Sequence, residues 1–576
     1  MHCKDLHKII ISLQNTAHNH NARVIDQVLS LAITNGLTTH ATSTWNCILR
    51  AYSKSPTPIK ALRIFNQCSA SIYPDNYTYP PLLKACSCLL SLSMGTELHA
   101  RLTKTGLDGD IYVQNALLHF YGVVDELTYA RVMFDRMPYR DIASWNTFLG
   151  IHSNNPDFGI QNLLILFKRL MCEEIKADKI TLVILLSSCA REEELDCGRA
   201  LHSFVTKVGL ECNLNLVNAL LEMYTKCGDM DAVLTLFNQM VSMRDLVSYT
   251  ILINGYVEMG SVDLARKIFD NVLIKDSVLW GSMIHAYVKA KQPRAALELF
   301  KKMVDDGVMI PDENIMVSVI SACASLSDLQ SGRLVRQFIF QNNINQDVFV
   351  KTALIDMYSK CGSLEEALVT FYKMDDKDVF TWTTMIEGLA KSGLGDKALA
   401  LFNQMERQGV MPNEATLVSV LAACSHSGLI TEGCNMFRRM AIVYRVKPKM
   451  EHFGCLIDLL SRAGLLYQAE EFIKILPSRD KLIAYKTLLS ACIKYSEFEF
   501  GKKVANETMN LGPQSNATFI LLSNFYALTG QWAEVTEVRR NMKQFDARKK
   551  PGTSAIEVSI MCKKQEREEE SGVYCS

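Results

Sequence analysis

An all-α fold built from stacked helix pairs is what this sequence predicts, and three observations predict it. Proline is scarce, 14 in 576 residues, against a usual share of about 5%, so helices run uninterrupted. The motif Ala-x-x-x-Phe-x-x-Met or a close variant recurs at Ala61/Phe65/Cys68, Ala130/Phe134/Met137, Ala265/Phe269/Val272, Ala296/Phe300/Met303, Ala367/Phe371/Met374 and Ala398/Phe402/Met405. A Leu/Ile-rich run ending in Cys recurs at Cys86, Cys189, Cys323, Cys424 and Cys492. One helical unit is reused along the chain. The roughly four domains that length alone suggests give way to a repeat array.

The unit Val379 to Asn413 shows the internal order. Trp382, Met385, Ile386 and Leu389 fall at i, i+3, i+4 and i+7, the spacing of an amphipathic helix. Gly393-Leu394-Gly395 marks a turn. Ala398, Leu401, Phe402 and Met405 then repeat the spacing in a second helix, which Gly409 and Pro412 end. A lone pair cannot cover both its apolar faces, so neighbours stack into an α-solenoid.

The cysteine markers lie 103, 134, 101 and 68 residues apart. A single period of roughly 35 does not give these spacings, whereas a rotating set of about 35, 35 and 31 residues does. The longest gap holds one extra short unit, Leu246 to Asp276 after Leu214 to Asp245. The chain parses into an N-terminal segment (1–41), thirteen units (42–481), two further helix pairs (482–549) and a mixed-charge tail (550–576). Within 1–41, Val24 to Gly36 reads either as a degenerate capping helix over the first repeat or as part of a faint transit signal.

Composition narrows the function classes. Lys+Arg and Asp+Glu are both 61. A basic body that holds nucleic acid by phosphate neutralisation is disfavoured, and any such role must rest on specific sites with weak salt dependence. With 48% hydrophobic and 21% charged residues, the chain is folded. Its 18 cysteines, with no short apolar leader, read as reduced, mostly buried small hydrophobes. Apolar stretches fall short of the ~18 to 20 residues of a membrane span.

Trp-Asn or Tyr-Thr near unit starts, Met-Tyr-x-Lys-Cys-Gly at Met223 to Gly228 and Met357 to Gly362, and Pro-Asp at Pro74-Asp75 and Pro311-Asp312 resemble plant pentatricopeptide repeat (PPR) proteins of the PLS subclass. Leu488 to Cys492, Leu521 to Tyr526 with Gly530-Gln531-Trp532, and Pro551 to Val558 resemble that subclass's E motifs. One departure stands at Ala555, where the family usually has Trp. The resemblance implies a right-handed superhelical α-solenoid that binds single-stranded RNA, one base per repeat.

In that family the fifth and last residues of a unit form the reading pair. Asn at the fifth position favours pyrimidines and Thr purines; a closing Asp favours U or G and a closing Asn C or A. Carried over, Asn46/Asp75, Asn115/Asp141, Asn146/Asp178 and Asn218/Asp245 resemble U readers, Thr250/Asp276 and Thr352/Asp378 G readers, and Thr383/Asn413 an A reader. Gly281/Asp312 leaves at most a weak G preference. Pro80, Val183, Val317 and Val418 at the fifth position cannot make that hydrogen bond, and two units close in Lys449 and Lys481. The implied target is U-n-U-U-n-U-G-(G)-n-G-A-n-n. Val247, Val278, Phe349 and Phe380, at second positions, resemble wedges between bases.

Seen singly, each Asn or Asp reads as a helix cap, but capping does not predict Asn or Thr at the fifth position of the next unit. No His is followed by Glu two positions on, and no two Cys are three apart, so these residues lack the zinc ligands of a cytidine deaminase; no metal, cofactor or catalytic residue is expected. The expected function is a specificity factor for C-to-U editing of organellar transcripts, recruiting a DYW-type deaminase or other editing cofactors in trans and acting as a monomer on RNA. The alternatives are an organellar RNA-binding factor for stability, splicing or translation, and a protein-binding scaffold of tetratricopeptide type. The resemblance favours mitochondria, with the chloroplast second.

Overall fold

Helix boundaries follow from short polar caps and left-handed turn residues. Asp110, Asp141, Asp178, Asp245 and Asp378 each stand in extended backbone immediately before a helix and accept the N–H groups of its first turn. In the Lys-Cys-Gly turns, Gly228 and Gly362 both take φ of 77°, a conformation in which a Cβ is strained. This lets the chain reverse into the next helix.

The computed structural model describes residues 25–27, 29–30, 34 and 42–544, apart from 69–73, 156, 211, 242, 308 and 513–515. It divides into two units, Met1–Gln292 and Pro293–Ser576. The first holds the pairs Thr42–Ser53 with Ile59–Cys68, Tyr79–Cys88 with Leu92–Thr105, Ile111–Val123 with Leu127–Arg136, Ile142–Ser153 with Gly159–Cys172, Lys179–Glu192 with Leu195–Val208, Leu214–Lys226 with Met230–Gln239 and Leu246–Glu258 with Val262–Asn271, then the helix Ser277–Lys289. The second opens with Pro293–Asp305. It continues as Glu313–Leu326 with Leu329–Gln341, Val348–Lys360 with Leu364–Tyr372, Val379–Lys391 with Gly395–Arg407, Glu414–Ser427 with Ile430–Ile442, Met450–Arg462 with Leu466–Lys474, Ser478–Tyr495 with Phe498–Asn510 and Asn516–Leu528 with Trp532–Gln544. Within each unit every first helix packs on its own second helix and on the first helix of the next pair. The first helices therefore form a row. This is the all-helical, stacked-pair solenoid fold that the repeats predict.

The recurring motif is the seam between pairs. Ala130, Ala265, Ala367 and Ala398 are fully buried, which lets the second helix approach closely. Phe134, Phe269 and Phe371 then meet the edges of Trp145, Trp280 and Trp382 in the following pair at ring-centre distances of 4.8, 4.9 and 4.9 Å. Such T-shaped contacts contribute roughly 0.5–1.5 kcal/mol each beyond burial.

The cysteine markers have a partner that the sequence reading passed over, a glycine nine residues on in the second helix of the same pair: Gly95, Gly198, Gly332, Gly433 and Gly501. A Cβ at Gly433 or Gly501 would lie 3.2 Å from the Cβ of Cys424 or Cys492, so the two small residues set a close helix crossing. Burial pushes the thiols of Cys189, Cys323, Cys424 and Cys492 up to about 12, as expected for structural cysteines.

Two edges differ from or extend the sequence reading. The helix expected to begin at Leu482 begins at Ser478. Lys481 offers no short capping side chain, and Pro477 at φ −59° starts the helix upstream instead. At the other edge, residues 25–27 are helical, Ile25 is buried in the core of the first unit, and Asp26 accepts from Tyr52 at 2.7 Å and pairs with Lys60. Residues 29–30 and 34 are helical as well; the remainder of 1–41, and the tail 550–576 with Ala555, lie outside the described residues. No helix among the described residues is long and apolar enough to cross a membrane.

Candidate nucleic-acid interface

Each closing residue is held by local chemistry. The carboxylates of Asp141, Asp178 and Asp245 accept the backbone N–H of Ser144, Thr181 and Ser248 at 2.8, 2.9 and 2.8 Å. Asp276, Asp312, Asp347 and Asp378 cap in the same way at Leu279, Ile315, Val350 and Thr381. Asn413 caps Thr416 through Oδ1 at 2.9 Å. A backbone N–H only donates, so this contact fixes the amide orientation and leaves Nδ2 as the outer group.

A cation one residue earlier holds the connecting turn. Arg140, Arg244, Lys275 and Lys377 lie over the rings of Phe134, Phe237, Phe269 and Phe371 at 5.1, 4.3, 5.0 and 5.2 Å. Arg140 and Arg244 also donate to the carbonyls of Phe134 and Phe237 at 2.9 and 3.0 Å; Lys275 and Lys377 donate to those of Val272 and Met374. Each cation ties the turn to the preceding helix and fixes where the closing Asp emerges. Its signal in the sequence is the recurrence of an Arg/Lys-Asp doublet.

The fifth residues lie on the first helices, with Asn46 and Asn218 only 8% and 7% exposed, and the structure brings the four Asn residues onto their closing Asp. Asn46, Asn146 and Asn218 donate through Nδ2 to Oδ1 of Asp75, Asp178 and Asp245 at 2.9, 3.0 and 3.2 Å. Asn115 reaches Asp141 at 3.4 Å. Burial pushes the carboxyls of Asp141, Asp178 and Asp245 up, but hydrogen bonds from Ser144, Thr181, Ser248 and the Asn amides outweigh it, and all three end below the usual carboxylate range. They are anionic acceptors at neutral pH.

The threonines behave differently. Thr352 is 1% exposed and bonds the Thr381 hydroxyl at 2.8 Å, which in turn reaches Asp378 at 2.7 Å. Thr383 meets Thr416 at 2.7 Å, and Thr416 reaches Asn413 at 2.9 Å. Thr250 donates to its own helix at Leu246 O at 2.8 Å, with no bond to Asp276 among the described contacts. Where the fifth residue is Pro80, Asp110 instead takes the amide of Asn76 at 2.9 Å. Lys449 pairs with Glu414 at 2.5 Å.

Val247, Val278, Phe349 and Phe380 are all more than half exposed. Two aromatic residues in the same register extend this set, Tyr77 and Tyr112, each two positions past a closing Asp. They are 53% and 62% exposed, and their rings stand 6.3 Å apart, near twice the roughly 3.4 Å rise of stacked bases. Beside Asn146 a groove of about 650 Å³ runs between first helices, lined by His119, Gly150, Ser153, Val183 and Ser187.

Comparison with known proteins gives a consistent result. The family model described as PPR repeat matches residues 216–244, 247–275, 278–308 and 349–379; that described as PPR repeat family matches 377–426; and that described as E motif matches 495–557. A mitochondrial pentatricopeptide repeat-containing protein of Arabidopsis thaliana is 32% identical, covering 92% of this chain and 78% of its own. The chloroplastic protein DOT4 of the same plant is 30% identical over 89% and 67%. Among solved structures, the crystal structure of maize PPR10 aligns with TM-score 0.52 at 15% identity over 94% of this chain and 87% of that one. PPR10 in complex with an 18-nt psaJ RNA element aligns with TM-score 0.55 at 16% identity over 88% and 83%.

Proposed function

The chain is a member of the pentatricopeptide repeat family with an E motif, and from that premise we propose that it reads single-stranded RNA and acts as a specificity factor for C-to-U editing in an organelle. The observation that carries the RNA reading is the repeated contact of fifth and closing side chains, from Asn46/Asp75 to Asn218/Asp245, along one row of helices.

The chemistry of the pairs supports the assigned bases. A carboxylate only accepts, and on the Watson–Crick edge the ring N–H of U or G donates where the ring nitrogen of C or A accepts. Closing Asp residues therefore favour U and G. Asn413, with Oδ1 committed to Thr416, presents an N–H pair suited to A or C. Asn extends farther than Thr and suits the smaller pyrimidines, while recessed residues such as Thr352 leave room for a purine. The proposed target is U-n-U-U-n-U-G-(G)-n-G-A-n-n, with wedges such as Phe349 and Phe380 stacking between bases.

The E region would recruit a DYW-type deaminase, and exposed Ile483, Leu528 and Trp532 supply apolar surface for it. The relatives named mitochondrial and chloroplastic support an organellar site of action, and mitochondria are our first choice. Sequencing organellar cDNA from a null plant tests the role: one or more cytidines a few nucleotides 3′ of the target should remain unedited. An unchanged set of edited sites would sink the editing role, and absence of binding to the target RNA would sink the reading as a whole.

A further inference from the structure

A third side chain stands beside the reading pairs, three residues past the closing residue. At six of the seven predicted pairs it carries a hydroxyl: Thr78, Ser144, Thr181, Ser248, Thr381 and Thr416. Where the fifth residue is Pro80, Val183, Gly281, Val317 or Val418, the same place holds Val113, Leu216, Ile315, Val350 or His452. Helix capping alone does not account for this division, because Asp110, Asn213, Asp312 and Asp347 cap their helices with no hydroxyl at that place.

The contacts explain the association. Thr78 lies 2.8 Å from Asn46 Oδ1 and 2.8 Å from Asp75 Oδ1. Thr181 lies 2.6 Å from Asn146 Oδ1 and 2.9 Å from Asp178 Oδ1. Ser248 lies 2.7 Å from both Asn218 Oδ1 and Asp245 Oδ1. The hydroxyl accepts the backbone N–H of the closing residue, at 3.1 Å in Asp75, so its proton is directed at these two oxygens. An amide flipped end for end would set its oxygen against the carboxylate and its NH2 against the hydroxyl proton. Both oxygens are thereby held inward, and the second Nδ2 proton and the carboxylate Oδ2 are the groups that turn towards a base; at Asn218/Asp245 Oδ2 also takes a longer contact from Nδ2, at 3.4 Å, which a base would displace.

The one exception among the Asn pairs follows the same logic. Ser144 bonds Asp141 at 2.8 Å, but Asn115 Oδ1 is buried with no partner among the described residues, and the Asn115–Asp141 contact is the longest of the four at 3.4 Å.

We propose that the hydroxyl three residues past the closing residue is a specificity-determining positioning residue, which orients the amide and carboxylate so that one donor and one acceptor face the RNA base. This rests on the base reading proposed above. The seventh pair, Thr250/Asp276, has Leu279 at this place and is the least selective of the readers.

The test uses the full chain and synthetic 13-nucleotide RNAs that carry U, C, A or G opposite Asn218/Asp245. Ser248→Ala lowers the U-over-C affinity ratio at that nucleotide about fivefold, the worth of one modest hydrogen bond. Ratios at the nucleotide opposite Asn46/Asp75 stay unchanged, which a general loss of structure would not allow, and Ser248→Thr keeps the native ratio. Asp245→Asn is measured in parallel to report on base reading itself. A native ratio in Ser248→Ala alongside a changed one in Asp245→Asn overturns the positioning role alone. An unmoved ratio in Asp245→Asn overturns base reading and the positioning role with it. Should Ser248→Ala fail to fold, Thr78→Val, read opposite Asn46, decides by the same ratio.

Discussion

Asn146 donates through Nδ2 to the carboxylate of Asp178 at 3.0 Å, across 32 residues of sequence. Asp178 also caps the helix Lys179–Glu192. Under the proposed base reading one carboxylate serves stability and recognition together, and the two roles separate on substitution. Asp178→Asn keeps a capping oxygen, as Asn413 shows at the corresponding place. The melting temperature should fall by only a few degrees, as for a change of about 1 kcal/mol or less. The outward acceptor becomes a donor, so preference at the matching nucleotide should move from U to C by about tenfold or more. Competition binding with RNAs differing at that nucleotide measures it.

Thr352→Asn makes the converse change at the fifth position. Thr381 already bonds Asp378 at 2.7 Å, so an Asn at 352 enters a site with the carboxylate and hydroxyl that surround Asn46. The preferred base should change from G to U, again by about tenfold, in band-shift titrations of two RNAs that differ only there. Retained G preference would mean the fifth residue does not select ring size.

Much of this was legible in the residues. Helix pairs were readable because Ala398, Leu401 and Phe402 bury one face at helical spacing, and their burial is complete or nearly so. The pairing of Asn46 with Asp75 could be placed because each falls at a fixed register in a repeat. Contacts that depend on rotamers were not legible: that Thr352 is buried behind Thr381, or that Asn115 Oδ1 is left unpaired. The third-position hydroxyls and penultimate cations were legible in principle. Read singly, Ser144 and Arg140 are an ordinary cap and an ordinary surface charge, and only their recurrence beside the reading pairs distinguishes them.

Gly95 shows why the cysteine-marked pairs need a small residue. A Cβ there would lie 1.9 Å from the Cζ of Phe120, a fully buried ring that cannot bend away as a methionine can. Gly95→Ala should destabilise the first unit by about 1–3 kcal/mol through overpacking. Gly109→Ala has open space around the new methyl group and should change stability by less than about 0.5 kcal/mol. Urea melts of the two variants compare them directly, and equal midpoints would remove the approach of Gly95 to Phe120 in the next pair as a constraint.

His152 predicts how stability responds to acid. Its ring is 6% exposed, stacks on Phe158 at 4.2 Å and meets the edge of Phe148 at 4.5 Å, and its Nδ1 has no hydrogen-bond partner among the described residues. Burial, with Arg131 nearby, lowers its pKa from 6.5 to about 4. Above the ordinary value the imidazole is neutral in both folded and unfolded chains, and its contribution is constant. As pH falls from 6.5 towards 4 the unfolded chain takes up a proton that the folded site refuses, so stability declines through that window by at most on the order of 3 kcal/mol. Below the folded value both forms are protonated and the decline stops. Burial shifts His99 and His119 in the same direction, so the slope does not rest on one residue. His152→Phe, which keeps an aromatic ring and removes the titration, should flatten part of the pH dependence of urea midpoints between these values. Identical slopes in the variant and the native protein would mean that the imidazole finds a partner for its proton in the folded state.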